Sequence, residues 1–165
     1  QWRLYPVVEA LMTMRGFQFL AAVVVCSELG DLSRFDHPRQ LMAFLGLVGS
    51  EHSTGTRVPQ GAITKCGNPH ARLFLVEAAQ HYDKAPKINK HLSRRQESQP
   101  RRVLEISWEA QHRLHRRFHR LSARKMPRQK VVVAIARELS GFVWAIARER
   151  MSPGSILPRA PRNAL

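Results

Sequence analysis

The hydrophobic residues of this chain recur every three or four positions over long stretches, which is the spacing of amphipathic helices. Between Pro6 and Leu29 the pattern predicts two short helices that form a helical hairpin around the turn MRGFQ (14–18). Gly30 and Asp31 are expected to end this hairpin, because glycine readily adopts the backbone conformation that closes a helix. One apolar stripe of the second helix should point inward: Phe19, Ala22, Val23, Cys26 and Leu29.

Two further helices are marked by the residues at their starts. Residues 38–49 (PRQLMAFLGLVG) predict a third helix, with Asp36 as its cap and Pro38 in its first turn. Its inward residues should be Leu41, Phe44, Leu45 and Val48. A fourth helix is predicted from Pro69 to Tyr82, following Asn68 as the N-cap and burying Leu73, Leu75 and Val76.

Two long helices are predicted in the second half of the chain. Between Val103 and Ala123 one face collects Leu104, Trp108, Leu114, Phe118 and Leu121, which are expected in the core. The opposite face collects five arginines: Arg113, Arg116, Arg117, Arg120 and Arg124. The last helix, Lys130 to Met151, has an apolar side made of Val132, Ile135, Ala136, Leu139, Phe142, Val143 and Ile146. Strand signals are scarce, so the fold class is mainly α, with a helix-hairpin-helix-like start, a Gly-rich loop and long amphipathic helices.

The same pattern predicts one domain over 1–151. It would contain the hairpin and the Gly-rich loop (6–82), a polar linker (83–102) and the two long helices (103–151). The proline-rich residues 152–165 predict a disordered tail. Because the chain opens on Gln1 and enters helical sequence at once, we expect it to be the C-terminal part of a longer protein.

Charge narrows the class of partner. The 165 residues include 27 Lys and Arg against 12 Asp and Glu, a formal net charge of +15, with 44% hydrophobic residues. This describes a folded cationic protein that binds a polyanion, most simply nucleic acid, with an anionic membrane surface as the competing interpretation. The apolar run 19–26 is too short to span a membrane, and the two cysteines lack zinc-site spacing, so a cytoplasmic location without a bound metal is expected.

Two features could contact phosphate, and each has a simpler interpretation. The arginine face could grip a phosphate backbone or be an ordinary solvated helix face; Glu105 and Glu109 are the only carboxylates that the sequence places nearby to pair with it. The turn MRGFQ could offer backbone N–H groups to an anion or be an ordinary turn. His112, His115 and His119 share a helical spacing but lack a further ligand, so they do not predict a metal site.

Residues 49–68 (GSEHSTGTRVPQGAITKCGN) form a Gly-rich loop that concentrates hydroxyls and cations. One of its hydroxyls, on Ser50, Ser53, Thr54 or Thr56, could attack phosphorus if positive groups held the charge that develops on the phosphate, and Arg57, Lys65 and Arg72 are the cations in and beside the loop. From the residue types alone, a binding loop or a plain connection is the more common interpretation of such a stretch.

The order of the motifs is more specific than any one of them. ELGDLSRFDHPRQLMAFLGLVGSEHSTG, then GAITKCGNPHARLFLVEAAQHY, then VVVAIARELSGFVWAIA resembles the C-terminal transposase domain of the IS110 family of insertion-sequence transposases, RNA-guided DNA recombinases, over residues 6–151. The resemblance implies an N-terminal RuvC-like domain that binds Mg²⁺ through four acidic residues, so Mg²⁺ is expected there and no cofactor within these residues. It also implies DNA, a structured guide RNA and further copies of the chain as partners.

The resemblance assigns a role to the loop. In the family a serine directly before glycine attacks DNA, and this chain has Thr54 before Gly55, with Ser53 one place earlier. The extra methyl group of threonine would crowd an in-line approach to phosphorus. Arg57, Lys65 and Arg72 become candidate phosphate clamps and Asn68 the cap that orients KCGN toward DNA. The alternative is a catalytically inactive transposase remnant that only binds nucleic acid.

Overall fold

A computed structural model describes residues 2–51 and 60–151, without the side chains of 50, 51 and 60–62. The helices are α1 (Tyr5–Leu11), α2 (Phe19–Leu29), α3 (Pro38–Phe44), α4 (Pro69–Ala79), α5 (Lys90–Gln96), α6 (Arg101–Ala123) and α7 (Arg128–Met151). Short 3₁₀ turns cover Leu32–Arg34 and Gln80–Asp83. Two strands, β1 (Gly49–Glu51) and β2 (Gln60–Ile63), pair in an antiparallel sheet. The mainly α fold class is confirmed.

Helix α7 forms the centre of the fold. It packs against α1, α3, α4 and α6, and the predicted apolar side is buried except for Phe142, which is partly exposed. Ile146 is fully buried, and the Trp144 Nε1 donates a hydrogen bond to the Phe35 carbonyl oxygen at 2.7 Å.

Local signals located most helix ends correctly. Asn68 caps α4, accepting a hydrogen bond from the Ala71 backbone N–H at 2.9 Å. Asp36 does not cap α3; the His37 side chain accepts from the Arg39 N–H instead, and the Asp36 N–H donates to Gln40. Helix α3 also ends at Phe44, well before residue 49, because the chain turns at Gly46 with φ of 64°.

Three residues predicted in the core are exposed: Phe19 by 56%, Leu73 by 54% and Trp108 by 40%. Helix α2 is apolar at nearly every position, so its spacing does not determine which side faces inward. On α6 the side chains of Ser107 and Gln111 are buried instead of Trp108, because they share a face of the helix with the buried apolar residues Val103, Ile106, Ala110, Leu114, Phe118 and Leu121. Both also bond to backbone groups of neighbouring segments. The predicted core face therefore extended too far toward Trp108.

Residues 83–102, expected to be a linker, pack on the turn between α1 and α2. Arg15 donates to the carbonyl oxygens of Lys84 at 2.7 Å and Lys87 at 3.1 Å. Leu92 of α5 is buried. These contacts hold the segment against the first helical hairpin. No helix in the described ranges is long and apolar enough to cross a membrane.

Candidate functional site

The strand pair brings together the two ends of residues 52–59. Gly49 pairs with Ile63 and Glu51 with Gln60, with an irregular register between these pairs. Two further backbone hydrogen bonds extend the pairing toward α3 and α4, from Thr64 N to Val48 O at 3.0 Å and from Lys65 N to Gly46 O at 3.1 Å. Ser53, Thr54 and Arg57 belong to 52–59 and lie outside the described residues.

Close backbone contact fixes the base of this strand pair. Gly46 has φ of 64° and Gly67 has φ of 111°, both in the region that favours glycine. A Cβ at Gly46 would collide with the backbone of Cys66, and one at Gly67 with the carbonyl oxygen of Phe44. The end of α3 and the segment entering α4 therefore approach more closely than any side chain would allow.

Asn68 joins this base to α2. Its Oδ1 caps α4, and its Nδ2 donates to the Glu28 Oε2 at 2.5 Å. The His70 Nδ1 lies 2.9 Å from the Glu28 Oε1. The hydrogen bond from Asn68, followed by that from His70, lowers the pKa of Glu28. Asn68 thus serves as a cap and an anchor, whereas its contact with DNA stays a prediction.

The two cations beside the strand pair differ in their surroundings. Arg72 is partly buried and its Nη1 donates to the Leu45 carbonyl oxygen at 2.9 Å, which holds the first turn of α4 against the end of α3. Lys65 is exposed, with φ of 54°, two residues after the end of β2. Both lie at the base of the strand pair, the end next to α3 and α4, and their role as phosphate clamps stays a prediction.

The five predicted arginines, four within α6 and Arg124 as its C-cap, fall into two groups. Glu138 of α7 faces Arg113, with its Oε2 3.2 Å from Nε, and Arg117, with its Oε1 2.6 Å from Nε. Of the two carboxylates that the sequence places nearby, Glu105 pairs with Arg101 and Arg102 instead, whereas Glu109 lies beside these arginines. Glu138, which is distant in sequence, was missed.

Arg116, Arg120 and Arg124 are exposed and have no ion pair within the described ranges. A cleft of about 540 Å³ lies along this side of α6, lined by Glu109, His112, Arg113, Arg116, Arg117, Arg120 and Glu138. Four arginines against two glutamates leave its lining cationic. An anion is the ligand that this cleft would attract most strongly.

Two histidines of α6 each contact a backbone carbonyl oxygen of the 3₁₀ turn Gln80–Asp83. His115 Nδ1 lies 3.3 Å from the Tyr82 carbonyl oxygen and His119 Nε2 lies 2.8 Å from that of Asp83. A carbonyl oxygen only accepts, so the ring nitrogen carries the proton in each bond. Among residues 2–51 and 60–151, no three His, Cys, Asp or Glu side chains group as metal ligands.

The MRGFQ turn is packed against the protein. Phe17 is fully buried, Gly16 has φ of 85° with its Cα facing the Ala78 backbone, and Arg95 donates to the Phe17 carbonyl oxygen. A cleft of about 910 Å³ opens beside the turn, with Arg15, Lys84, Lys87, Arg94 and Arg95 among its lining residues. Arg15 and Arg95 support the local backbone, and anion binding at this turn stays a prediction.

Sequence reasoning missed Glu28, Glu138, the close contact of Gly46 with Cys66 and the outward position of Trp108. Glu28 and Glu138 act on partners 40 and 25 residues away, respectively, so no local pattern connects them. Gly46 carried a weak signal, since it lies in a run with two glycines, but its close contact with Cys66 depends on the strand pair.

Comparison with known proteins gives the family. The model of the family described as "Transposase IS116/IS110/IS902 family" matches residues 8–92, which include the end of α1, helices α2 to α4 and the strand pair. The putative transposase y4qE of Sinorhizobium fredii is 49% identical over 148 residues, which cover 90% of this chain and 38% of that protein.

Two further relatives match shorter stretches. The transposase for insertion sequence element IS1111A of Coxiella burnetii is 35% identical over 71 residues, 43% of this chain and 20% of that protein. The probable family 20 transposase of Pseudomonas aeruginosa is 35% identical over 72 residues, 44% of this chain and 21% of that protein. The chain spans 38% or less of the length of each of these relatives. With the family model matching more than half of it, this chain belongs to the IS116/IS110/IS902 family of transposases.

Proposed function

We propose that this chain is the C-terminal part of a DNA transposase, which binds DNA and guide RNA and supplies the hydroxyl that attacks a DNA phosphodiester. The observation that carries the proposal is the strand pair β1–β2, in a chain of a transposase family, bringing together the ends of the segment that contains Ser53 and Thr54. Gly46, Gly67 and the Asn68 cap hold the base of the strand pair in close backbone contact with the end of α3 and the start of α4.

The proposed step is a transesterification. The Oγ of Ser53, or the Oγ1 of Thr54, forms a bond to phosphorus while one backbone P–O bond breaks, and the departing oxygen takes up a proton. Cations that approach the phosphate stabilise the charge of the transition state, which is the role we assign to Arg57, Lys65 and Arg72. Glu51 and His52 are the nearest groups in sequence that could accept the proton of the hydroxyl.

Other components would come from outside these residues. Mg²⁺ belongs, in this proposal, to a RuvC-like domain that precedes Gln1, and the guide RNA would select the target and donor DNA by base pairing. Assembly into oligomers is part of the same proposal.

The test uses the full-length protein encoded by the reading frame that contains this chain, with labelled donor and target DNA and the RNA of its own element. Replacing Ser53 and Thr54 together by alanine should abolish detergent-stable protein–DNA adducts while leaving DNA binding intact. The single variants identify the attacking residue. Ser93→Ala, which removes an exposed hydroxyl on α5, is the matched control. Adducts that persist in the double variant would refute the assignment.

The second candidate is a remnant that binds nucleic acid without catalysis. The threonine before Gly55 favours it, because the additional methyl group hinders an in-line attack. DNA sequencing upstream of the Gln1 codon separates the two candidates: an in-frame segment with the acidic residues of a RuvC-like domain supports the transposase, and a stop codon supports the remnant.

A further inference from the structure

Helix α6 carries a second feature beside its arginines. Trp108, His112, Arg116, Arg120 and Arg124 follow one another at intervals of four residues, and all five are exposed. Residues four apart on a helix form a continuous ridge, with steps of about 6 Å along the axis. We call these five residues the α6 ridge.

The aromatic end of the ridge lacks a structural explanation. Trp108 and His112 meet edge to face with ring centroids 4.4 Å apart, and 40% of Trp108 stays exposed. Ser107 and Gln111, the neighbours of these two rings, are the residues that α6 buries against the rest of the protein. Trp108 therefore presents a large ring to solvent although the fold does not use it as core.

The arginines at the cationic end of the ridge differ from the two arginines that Glu138 pairs. Glu138 holds Arg113 and Arg117 on the side of α6 that faces α7, whereas Arg116, Arg120 and Arg124 have no ion pair within the described ranges. The cleft of about 540 Å³ adjoins the ridge through His112, Arg116 and Arg120.

We propose that the α6 ridge binds an unpaired stretch of nucleic acid, with a base stacked on Trp108 and successive phosphates held by Arg116, Arg120 and Arg124. Aromatic rings that stack with bases, combined with a row of cations, characterise single-strand binding surfaces. In a duplex the bases are stacked on one another, so Trp108 would have no partner.

The shape of the ridge also favours a flexible strand. Each four-residue step rotates the side chain by about 40° around the helix axis, so the ridge winds around α6 from Trp108 to Arg124. A single strand can follow such a path, whereas a duplex of this length behaves as a stiff rod. This inference rests on the proposed function, because it assumes that the chain binds nucleic acid. It adds which kind of strand is bound and which residues bind it.

The test measures binding of the 165-residue chain to a fluorescein-labelled 12-nucleotide deoxythymidine strand, to the same length of oligouridine and to a 12-base-pair duplex. Trp108→Ala should weaken binding to both single strands by roughly 5- to 150-fold, the usual loss for one stacked base. Binding to the duplex should change less than twofold. Trp108→Phe keeps an aromatic ring and should retain most of the affinity. Quenching of tryptophan fluorescence by the unlabelled strand should fall in this variant, because Trp108 supplies it.

Charge is tested separately. Replacing Arg116, Arg120 and Arg124 by glutamine should reduce the slope of log K against log salt on single strands by about 2, since each phosphate contact contributes roughly 0.7. Replacing Arg94, Arg101 and Arg102, three exposed arginines off the ridge, by glutamine is the control with equal charge change. If the control lowers affinity and slope as much as the ridge variant, the surface is a diffuse cationic one and the inference fails.

The remaining outcomes separate this inference from the proposed function. If the parent chain binds single strands and Trp108→Ala leaves that affinity unchanged, the ridge is not the site, although nucleic-acid binding stands. The same result is expected if Trp108 anchors a protein partner. If the parent binds neither single strands nor duplex, both proposals fail. Preference for uridine over deoxythymidine identifies RNA as the strand, and the reverse preference identifies DNA. Circular dichroism of each variant verifies that it folds.

Discussion

Glu28 Oε2 accepts a hydrogen bond from Asn68 Nδ2 at 2.5 Å, which joins the last turn of α2 to the residue that caps α4. The two residues are 40 positions apart, and the strand pair with its connecting segment lies between them. The contact joins the helix before the strand pair to the helix after it, and it fixes where α4 begins relative to α2.

Acid should weaken this contact. Hydrogen bonds from Asn68 and His70 lower the pKa of Glu28 in the folded chain. The ionised Glu28 carboxylate therefore stabilises the fold fully above the ordinary glutamate pKa of about 4.3, and this stabilisation is lost as the pH falls through the lowered pKa. The difference in unfolding free energy between the parent and Glu28→Gln should therefore shrink from pH 7 to pH 3 in urea titrations. Glu77→Gln, on the exposed side of α4, is the control. A Glu28→Gln difference that stays constant with pH would contradict the role of this ion.

Removing the cap itself should lower stability. Asn68→Ala deletes both the bond to the Ala71 N–H and the bond to Glu28, and loss of an N-cap costs about 1 kcal/mol. Asn89→Ala deletes the cap of α5 and is the matched comparison. We expect Asn68→Ala to be the more destabilising of the two in chemical denaturation, because it also releases α2; an equal or smaller cost would show that the Glu28 contact adds nothing.

A methyl group at Gly67 should disrupt the base of the strand pair. Gly67→Ala combines a φ of 111° with collision against the Phe44 carbonyl oxygen. Gly30 also has a positive φ, but no heavy atom lies within 4 Å of the carbon that Gly30→Ala would add. The loss of stability in Gly30→Ala should therefore be that of backbone strain alone, roughly 1–3 kcal/mol. Thermal unfolding should rank Gly67→Ala well below Gly30→Ala. Similar values for both would mean that the close approach is relieved at little cost.

Glu138→Gln should strengthen nucleic-acid binding. It releases Arg113 and Arg117 from their shared carboxylate, while loss of such partly exposed pairs costs only about 0–1 kcal/mol of stability. The slope of log K against log salt should steepen by more than it does for Glu149→Gln, which makes the same charge change elsewhere on α7. Equal effects would show that only net charge matters.

The two cysteines should react very differently. Cys66 is exposed beside the strand pair, whereas Cys26 is buried in α2, and burial raises the pKa of the Cys26 thiol to about 12. Since the thiolate is the reactive form, iodoacetamide at pH 8 should modify Cys66 alone in the folded chain and both residues in guanidinium. Mass spectrometry of the digested protein distinguishes them. Modification of Cys26 under native conditions would contradict the packing of α2 against α4.

How much the sequence revealed depends on the range of the interaction involved. Asn68, Pro38 and Gly30 marked helix ends correctly because capping involves groups within about one turn. The apolar side of α7 was equally readable, since a helix with one strongly apolar face has a single way to bury it. The order of motifs around Gly55 and Asn68 also pointed to the family that the comparisons confirm.

Tertiary structure decided what periodicity leaves open. Trp108 lies outside the buried stripe of α6 and Ser107 lies within it, where Ser107 donates a hydrogen bond to the Thr13 carbonyl oxygen at 2.6 Å, a contact that no local pattern predicts. Which arginines are paired depended on Glu138, 25 residues from Arg113 along the chain. Sequence by itself determined the helices, their charge and the family, because these follow from local spacing and motif order. The exposed ridge, the paired arginines and the closed base of the strand pair arise from contacts between distant segments, which exist only after the chain has packed around α7.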